Sequence, residues 1–185
     1  MKQTLVEIHN DHLNYARLLD QLKTDIEKLQ QSTNPDFIRL YDIMNYLTNY
    51  PDVSHHPIEE IIFARLKRKA PESIGLINQL NSEHKELAKL GHILKEELQK
   101  VTSGAIVSKD NILNAAKDYC ELLSNHMNVE ESQIFPIIEN MLTHEDWLLL
   151  DVQISALTDT LFGDAIQEQF SDLYKRITLS KDEAA

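Results

Sequence analysis

The chain has 185 residues, of which 42% are hydrophobic, and it carries a formal net charge of −12. This length suits one domain with a sizeable core, and the negative charge argues against nucleic acid and anionic membrane surfaces as partners. The apolar runs are far shorter than the roughly 20 residues of a membrane span, and the first residues lack the apolar core of a signal peptide. The single cysteine, Cys120, excludes an internal disulfide and suits a reducing compartment. We therefore expect a cytoplasmic protein.

Apolar residues recur at helical spacing along most of the chain, which predicts long helices. Helix A carries an apolar stripe from Leu5 to Leu29 and ends at a loop over residues 31–35. Helix B follows over about residues 36–69, and we expect a kink or break near residues 52–55, because Pro51 and Pro57 lie inside the helix.

The second half of the predicted bundle has the same pattern. Helix C covers about residues 73–101 and is followed by a loop that contains Ser103 and Gly104. Helix D covers about residues 109–142, with a disturbance expected at Pro136.

Four long helices joined by short loops predict an all-α, up-down-up-down antiparallel four-helix bundle with an additional C-terminal helix or helices. We expect residues 1–142 to form the bundle and residues 143–185 to form a helical extension packed on the same domain. The extension is expected to be interrupted around residues 162–163 and to end in a polar tail over 178–185. It is also the candidate surface for a homodimer.

The chain has eight histidines, and seven of them are spread over all four predicted helices. Helix B carries His55 four residues before Glu59, and helix D carries His126 four residues before Glu130. This spacing puts both side chains of a pair on one helix face, where an imidazole and a carboxylate can bind one metal ion together. A single such pair is usually a surface contact, so the metal hypothesis depends on the two pairs coinciding with other inward-facing histidines.

The two pairs are predicted to lie level with two further histidines. His12 and His84 face the apolar sides of helices A and C and lie near the starts of these helices. In the predicted bundle these starts lie beside the ends of helices B and D. Glu59 and Glu130 precede those ends by about as many residues as separate His12 and His84 from the starts of their helices. With a rise of about 1.5 Å per residue, all four residues are about 14–18 Å from the same end. Amphipathic packing does not require this coincidence, whereas a buried metal cluster does.

The choice of pair in helix B depends on the helical phase. His55 and Glu59 lie nearer the apolar face than His56 and Glu60 do, but Pro57 disturbs the phase, so both pairs remain candidates. Four histidines and two carboxylates exceed the needs of one tetrahedral zinc ion and suit iron, manganese or zinc in a site with two ions. The sequence contains no Glu-x-x-His, so the ferritin-type arrangement is absent.

With these motifs the chain resembles the hemerythrin-like, or HHE cation-binding, family over about residues 1–142. The resemblance rests on EIHNDH at 7–12, HHPIEE at 55–60, EH at 83–84 and HMNVEESQIFP at 126–136. It implies a four-helix bundle that holds two non-heme iron ions, bridged by carboxylates and an oxo or hydroxo group, with Glu59 and Glu130 as the bridging carboxylates. The ligands implied in this sequence are His12, His55, Glu59, His84, His126 and Glu130.

The chain departs from the oxygen-carrying members of this family. Such proteins have a second histidine one turn after the helix C ligand, where this chain has Ala88. They also have an aspartate five residues after the helix D histidine, where this chain has Glu131. These differences argue against simple reversible oxygen carriage. The candidates for additional ligands, or for groups that orient the ligands, are His9, His56, Glu60 and Glu131.

Three functional hypotheses follow from the sequence. The first is a non-heme di-iron protein that binds or senses oxygen, nitric oxide, peroxide or iron. The second is a di-iron redox enzyme or an iron donor for the repair of iron–sulfur centres, although no catalytic residue or substrate pocket can be identified. The third is a helical interaction module without functional metal, in which the unmetallated carboxylates would repel one another in the core.

Overall fold

The protein consists of helices joined by short loops in the residues that a computed structural model describes. The backbone is described for residues 2–33, 35–161 and 164–179, and the side chains for 2–33, 35–157 and 170–177; no strand occurs in these ranges. The α-helices are α1 (Gln3–Gln30), α2 (Phe37–Tyr50), α3 (His56–Lys69), α4 (Ile74–Thr102), α5 (Lys109–Val129), α6 (Phe135–Met141), α7 (His144–Leu161) and α8 (Asp164–Leu179).

The helices pack as a bundle of four long segments. Segment A is α1, segment B is α2 and α3, segment C is α4, and segment D is α5 and α6. Helix α4 packs against α2, α3 and α5, and α1 packs against α5 and α2. The predicted all-α bundle is therefore confirmed. No described helix is long and apolar enough to cross a membrane.

Segments B and D are each interrupted by one π-helical turn, at Pro51–His55 and at Glu130–Ile134. In these turns the N–H of His56 donates to the carbonyl of Pro51, and the N–H of Phe135 donates to the carbonyl of Glu130. The break expected near residues 52–55 is confirmed.

The disturbance in segment D begins before the position that the sequence predicted. Pro136 is the second residue of α6, whereas the π turn covers the five residues up to Ile134. The reason is that Pro136 has no N–H to donate to the preceding turn, so the helix widens before the proline. Both π turns contain a predicted ligand, His55 in segment B and Glu130 in segment D, so the prolines set the backbone at the candidate site.

Two apolar clusters fill the bundle, one on each side of a polar layer. The first cluster contains Leu5, Ile8, Ile62, Phe63, Leu66, Ala70, Ile77, Leu80, Ile134, Phe135, Ile138, Leu142, Trp147 and Leu150. The second is larger and includes Tyr15, Leu18, Leu22, Ile43, Leu47, Leu87, Leu94, Leu98, Ala116, Tyr119 and Leu123. Along α4, His84 lies between Leu80 of the first cluster and Leu87 of the second. The candidate site is therefore a polar layer enclosed by two apolar clusters.

The C-terminal helices pack on segment B, α7 against α3 and α8 against α2. Trp147 and Leu150 of α7 belong to the first cluster, and Leu173 and Ile177 of α8 belong to the second. At the start of α7, Asp146 accepts hydrogen bonds from the backbone and side chain of Thr143. The predicted interruption at 162–163 and the last six residues of the predicted tail lie outside the described residues. The division into residues 1–142 and 143–185 stays a prediction.

Candidate metal centre

The six residues predicted as ligands are brought together in the polar layer and are all buried. Their exposed fractions range from 0% for Glu130 to 7% for His84. His12 comes from α1, His55 and Glu59 from segment B, His84 from α4, and His126 and Glu130 from segment D. Each long segment of the bundle therefore contributes at least one group.

The first histidine pair consists of His12 and His55, whose Nε2 atoms are 3.1 Å apart. Glu59 Oε1 lies 3.2 Å from His55 Nε2, and Glu130 Oε2 lies 3.3 Å from His12 Nε2. The four side chains offer ligand atoms that are mutually within 4.8 Å. Two imidazole nitrogens and two carboxylate oxygens thus converge on one point.

The second histidine pair consists of His84 and His126, whose Nε2 atoms are 3.0 Å apart. Glu130 Oε1 lies 3.2 Å from His126 Nε2, and Glu59 Oε2 lies 3.5 Å from His84 Nε2. Each of the two glutamates therefore directs one oxygen to the first histidine pair and the other oxygen to the second.

Three of the four histidines have their outer ring nitrogen, Nδ1, bound to a carboxylate. Because an ionised carboxylate only accepts hydrogen bonds, Nδ1 carries the hydrogen and Nε2 presents its lone pair to the centre of the bundle. Neither a core histidine nor a surface pair needs this orientation, but a metal ligand does. The three contacts are His12–Glu131 at 2.8 Å, His55–Asp11 at 3.2 Å and His126–Glu83 at 2.9 Å.

The carboxylates at the centre lack the hydrogen bonds that buried carboxylates normally have. None of the four side-chain oxygens of Glu59 and Glu130 has a hydrogen-bond partner, although imidazole nitrogens lie close to them. Burial favours the neutral acid, but the imidazoles of His12, His126 and His84 hold the pKa of Glu130 well below its usual range. Burial and Glu130 also act against ionisation of Glu59, whose pKa is nevertheless lowered by His55 and His84. Two buried anions beside four inward-facing imidazoles fit a cation site.

The same charges affect the histidines. Burial lowers the pKa of His55, but Glu59 and Asp11 outweigh it and raise the pKa to about 10. Burial likewise opposes protonation of His126, and Glu130 outweighs it and raises the pKa to about 9. The facing Nε2 atoms of a pair are too close for both to carry a hydrogen. Each pair can therefore share a proton, and that proton occupies the place where a cation would bind.

The family follows from a comparison with protein-family profiles, in which the profile described as hemerythrin HHE cation binding domain matches residues 3–138. The chain belongs to this hemerythrin family. The resemblance predicted from the four motifs is confirmed. No curated protein and no solved structure matches the chain.

Two of the residues predicted as additional or ligand-orienting groups in this hemerythrin domain contact each other beside the first histidine pair. Glu131 Oε1 lies 2.9 Å from His9 Nδ1 and 2.8 Å from His12 Nδ1, so Glu131 is placed to orient His12. His9 is partly exposed and is not in any of the three metal-capable groups of the described residues. Glu60 is exposed. The ligand roles of these residues stay predictions.

The remaining candidate, His56, lies beside the second histidine pair. Its ring stacks on that of His84, with ring centroids 3.9 Å apart and planes 15° from parallel. Its Nδ1 lies 3.0 Å from Asp52 Oδ1. His56, Glu59 and His84 form a third group whose ligand atoms lie within 4.8 Å of one another.

The sequence reasoning assigned no role to Asp11 and Glu83, the partners of His55 and His126. Both residues directly precede a predicted ligand in the sequence, Asp11 before His12 and Glu83 before His84. Each contacts the histidine of a neighbouring segment instead of its own neighbour in the chain. The repeated acid–histidine order is the sequence signal that could have found them.

The centre adjoins a cavity of ≈ 20 Å³, whose lining includes His12, His55, His126 and Tyr15. This volume holds about one water-sized molecule. The buried hydroxyl of Tyr15 has no hydrogen-bond partner, and burial raises the pKa of this phenol well above its usual value. The side chain of Tyr15, with its phenol neutral, therefore lines a space for a small molecule beside the histidines.

Proposed function

We propose that this member of the hemerythrin family holds two iron ions and uses them to bind or sense a small molecule such as oxygen, nitric oxide or peroxide. The observation that carries the proposal is the arrangement of Glu59 and Glu130, each of which directs one oxygen to each histidine pair. Carboxylates placed in this way can bridge two ions. The membership of the family supports cation binding independently.

In this proposal the ligands divide between two ions. His12 and His55 hold one ion, His84 and His126 hold the other, and both glutamates contribute to both. When bound, the irons supply open coordination positions and a change of oxidation state. The chain itself sets the geometry, because carboxylates fix three of the imidazoles, and its two apolar clusters limit the access of water.

Iron is proposed because the resemblance to the hemerythrin-like family implies it, and because the donor set mixes imidazole nitrogens with carboxylate oxygens and contains no thiolate. Such a set suits iron, and it also accepts manganese or zinc, which remain the alternatives. Cys120, the single cysteine, is buried in the second cluster, and burial raises the pKa of its thiol to about 11. Cys120 is also in none of the three metal-capable groups of the described residues.

The small cavity favours a small exogenous ligand over an organic substrate. Its volume of ≈ 20 Å³ accommodates a water-sized or diatomic molecule next to the imidazoles, and the side chain of Tyr15 also lines it. This is the observation that favours binding or sensing over oxidation of an organic substrate.

A second candidate function is iron exchange, including donation of iron for repair of iron–sulfur centres. An open depression of ≈ 320 Å³ on the surface is lined by Asp52, His56, Glu60 and His84, among others. Carboxylates at the mouth of a metal site attract divalent cations, so this depression is a suitable route for iron.

We also propose an up-down-up-down order for the four segments of the bundle and a cytoplasmic location for the protein. We also propose a homodimer through the C-terminal helices, supported by the exposed apolar side chains of Leu148, Leu149 and Val152 on α7. Sedimentation of the purified protein tests the dimer.

The test of the function uses protein loaded with Fe²⁺ under anaerobic conditions and then exposed separately to oxygen, nitric oxide and peroxide. The proposal expects a spectral change with at least one of these molecules, and it expects no such change in Glu130→Ala. Metal-loaded protein that responds to none of the three would contradict binding or sensing. Transfer of iron to an apo acceptor protein without a gas response would favour the second candidate.

A further inference from the structure

The surroundings of His84 differ from those of the other three proposed ligands. Its outer nitrogen, Nδ1, is buried and has no hydrogen-bond partner, whereas the outer nitrogens of His12, His55 and His126 each contact a carboxylate. One turn further along α4 the side chain is Ala88, which offers no ligand atom and no bulk. Space therefore remains beside His84 on the side of the open depression.

The side chain that occupies this space belongs to segment B. His56 is the first residue of α3, directly after the π turn, and it lines the depression together with His84 and Ala88. Its ring lies flat against that of His84, with the centroids 3.9 Å apart. The π turn therefore presents two successive histidines, His55 to the first histidine pair and His56 to the second.

The orientation of His56 matches that of the proposed ligands. Its Nδ1 lies 3.0 Å from Asp52 Oδ1, a carboxylate four residues earlier. This contact assigns the ring hydrogen to Nδ1 and leaves the lone pair on Nε2. Nε2 makes no hydrogen bond to any described residue, so it is available to a ligand.

We infer that His56 is a third imidazole ligand of the ion held by the second histidine pair and compensates for the missing donor at Ala88. The inference rests on the proposed two-ion site. One ligand atom from each of His56, Glu59 and His84 already lies within 4.8 Å of the others. The resulting sites are unequal, with two imidazoles at the first ion and three at the second.

Binding requires the ring of His56 to turn. A metal ion lies in the plane of each imidazole that binds it, and the rings of His56 and His84 are stacked only 15° from parallel. His56 therefore leaves the stack when it binds the ion. The side chain has room for this movement because it lies at the edge of the depression next to the small side chain of Ala88.

The experiment compares the wild-type chain with His56→Phe, which keeps an aromatic ring for the stack but removes both nitrogens. Fe²⁺ is titrated anaerobically against a competing chelator, and absorption and Mössbauer spectra are recorded. We expect two ions in the wild type and a loss of more than about 100-fold in affinity for one ion in the variant, because changes that only disturb ligand orientation typically cost about 10- to 100-fold. Adding Ala88→His to His56→Phe is expected to restore the affinity.

His92→Phe is the matched control, because His92 is exposed on α4 and its ring donates a hydrogen bond to the carbonyl of Ala88. His56→Gln is measured as well, and it decides the question if the phenylalanine variant does not fold. Wild-type affinity for both ions in the His56 variants would overturn the inference and leave the two-ion site intact. A wild-type chain that binds fewer than two ions would overturn the proposed site, and the inference with it.

Discussion

The two histidine pairs of the centre have the same kind of ligands but different surroundings. The first pair is enclosed: the ring of His12 stacks on Phe135 with centroids 5.8 Å apart, and Tyr15 meets the ring of His55 edge-on at 5.2 Å. In the second pair, His84 lies beside the open depression, its outer nitrogen is unpaired, and Ala88 leaves space next to it.

This difference indicates that the two histidine pairs differ in how firmly they hold their ion. An enclosed pair with both outer nitrogens fixed holds an ion in one geometry and limits exchange. A pair at the edge of a depression, with a movable imidazole nearby, can gain or lose a ligand. In this account the first histidine pair fixes its protein ligands, whereas the second pair can gain or lose one.

The largest predicted effect comes from Glu130, which faces both histidine pairs. Glu130→Ala is expected to abolish binding of both ions, because each pair loses a carboxylate and its negative charge. Isothermal titration with Fe²⁺ or Zn²⁺ measures this loss. Glu121, an exposed carboxylate in the same segment of the bundle, gives the control variant Glu121→Gln, which is expected to bind two ions normally. A Glu130 variant that still binds both ions would remove the basis for a shared, bridged site.

The next largest predicted effect is the loss of one ion when a single histidine pair is disrupted. His12→Ala and His126→Ala are each expected to reduce the metal content from two ions to one, since each change removes an imidazole from one pair only. Metal analysis together with circular dichroism measures the content and checks the fold. Loss of both ions in either variant would show that the two halves bind only as a unit.

As the pH rises from about 6 to about 9, the metal-free protein is expected to lose stability, whereas the stabilisation by bound metal is expected to increase. The pKa of His55 is raised to about 10 and that of His126 to about 9, from an ordinary value of 6.5. Protonation of these histidines therefore makes its full contribution to the stability of the metal-free protein below pH 6.5, and this contribution is lost as the pH rises through 9 to 10. The lowered pKa values of Glu59 and Glu130 act on the acid side, where the contribution is lost as the pH falls.

Metal binding displaces the protons of the histidine pairs, so affinity for metal rises with pH over the same range in which the metal-free protein loses stability. Chemical denaturation at about pH 6 and about pH 9, with and without Zn²⁺, measures both effects. Parallel pH profiles for the two forms would contradict the proposed sharing of protons between facing nitrogens.

The smallest predicted effect concerns Tyr15. Its buried hydroxyl has no hydrogen-bond partner, so Tyr15→Phe removes an unsatisfied group and leaves the metal-free protein as stable as the wild type or more stable by about 1 kcal/mol. Thermal unfolding measures the difference. A clear destabilisation would contradict the absence of a hydrogen-bond partner for this hydroxyl.

The helices and the inward direction of the histidines could be predicted from periodicity, because a spacing of four residues fixes one helix face. The choice between His55 and His56 could not, since it depends on the π turn that Pro51 and Pro57 create. The structure buries His55 between the helices and leaves His56 beside His84, so the two alternatives of the sequence lie at different halves of the site.

The contacts of Asp11 and Glu83 could not be predicted for a different reason. Each connects two segments of the bundle, and such contacts depend on how far each helix is rotated about its axis, which local spacing does not determine. Similarly, the proline at 136 indicated a disturbance in segment D, but only the backbone hydrogen bonds place it at Glu130–Ile134.

The most direct test of the central claim is the metal content of the chain after anaerobic loading with Fe²⁺ and removal of loosely bound metal. The account predicts two iron ions per chain and a Mössbauer spectrum with two distinct iron environments. One ion per chain, or none, would contradict a site in which Glu59 and Glu130 serve both histidine pairs.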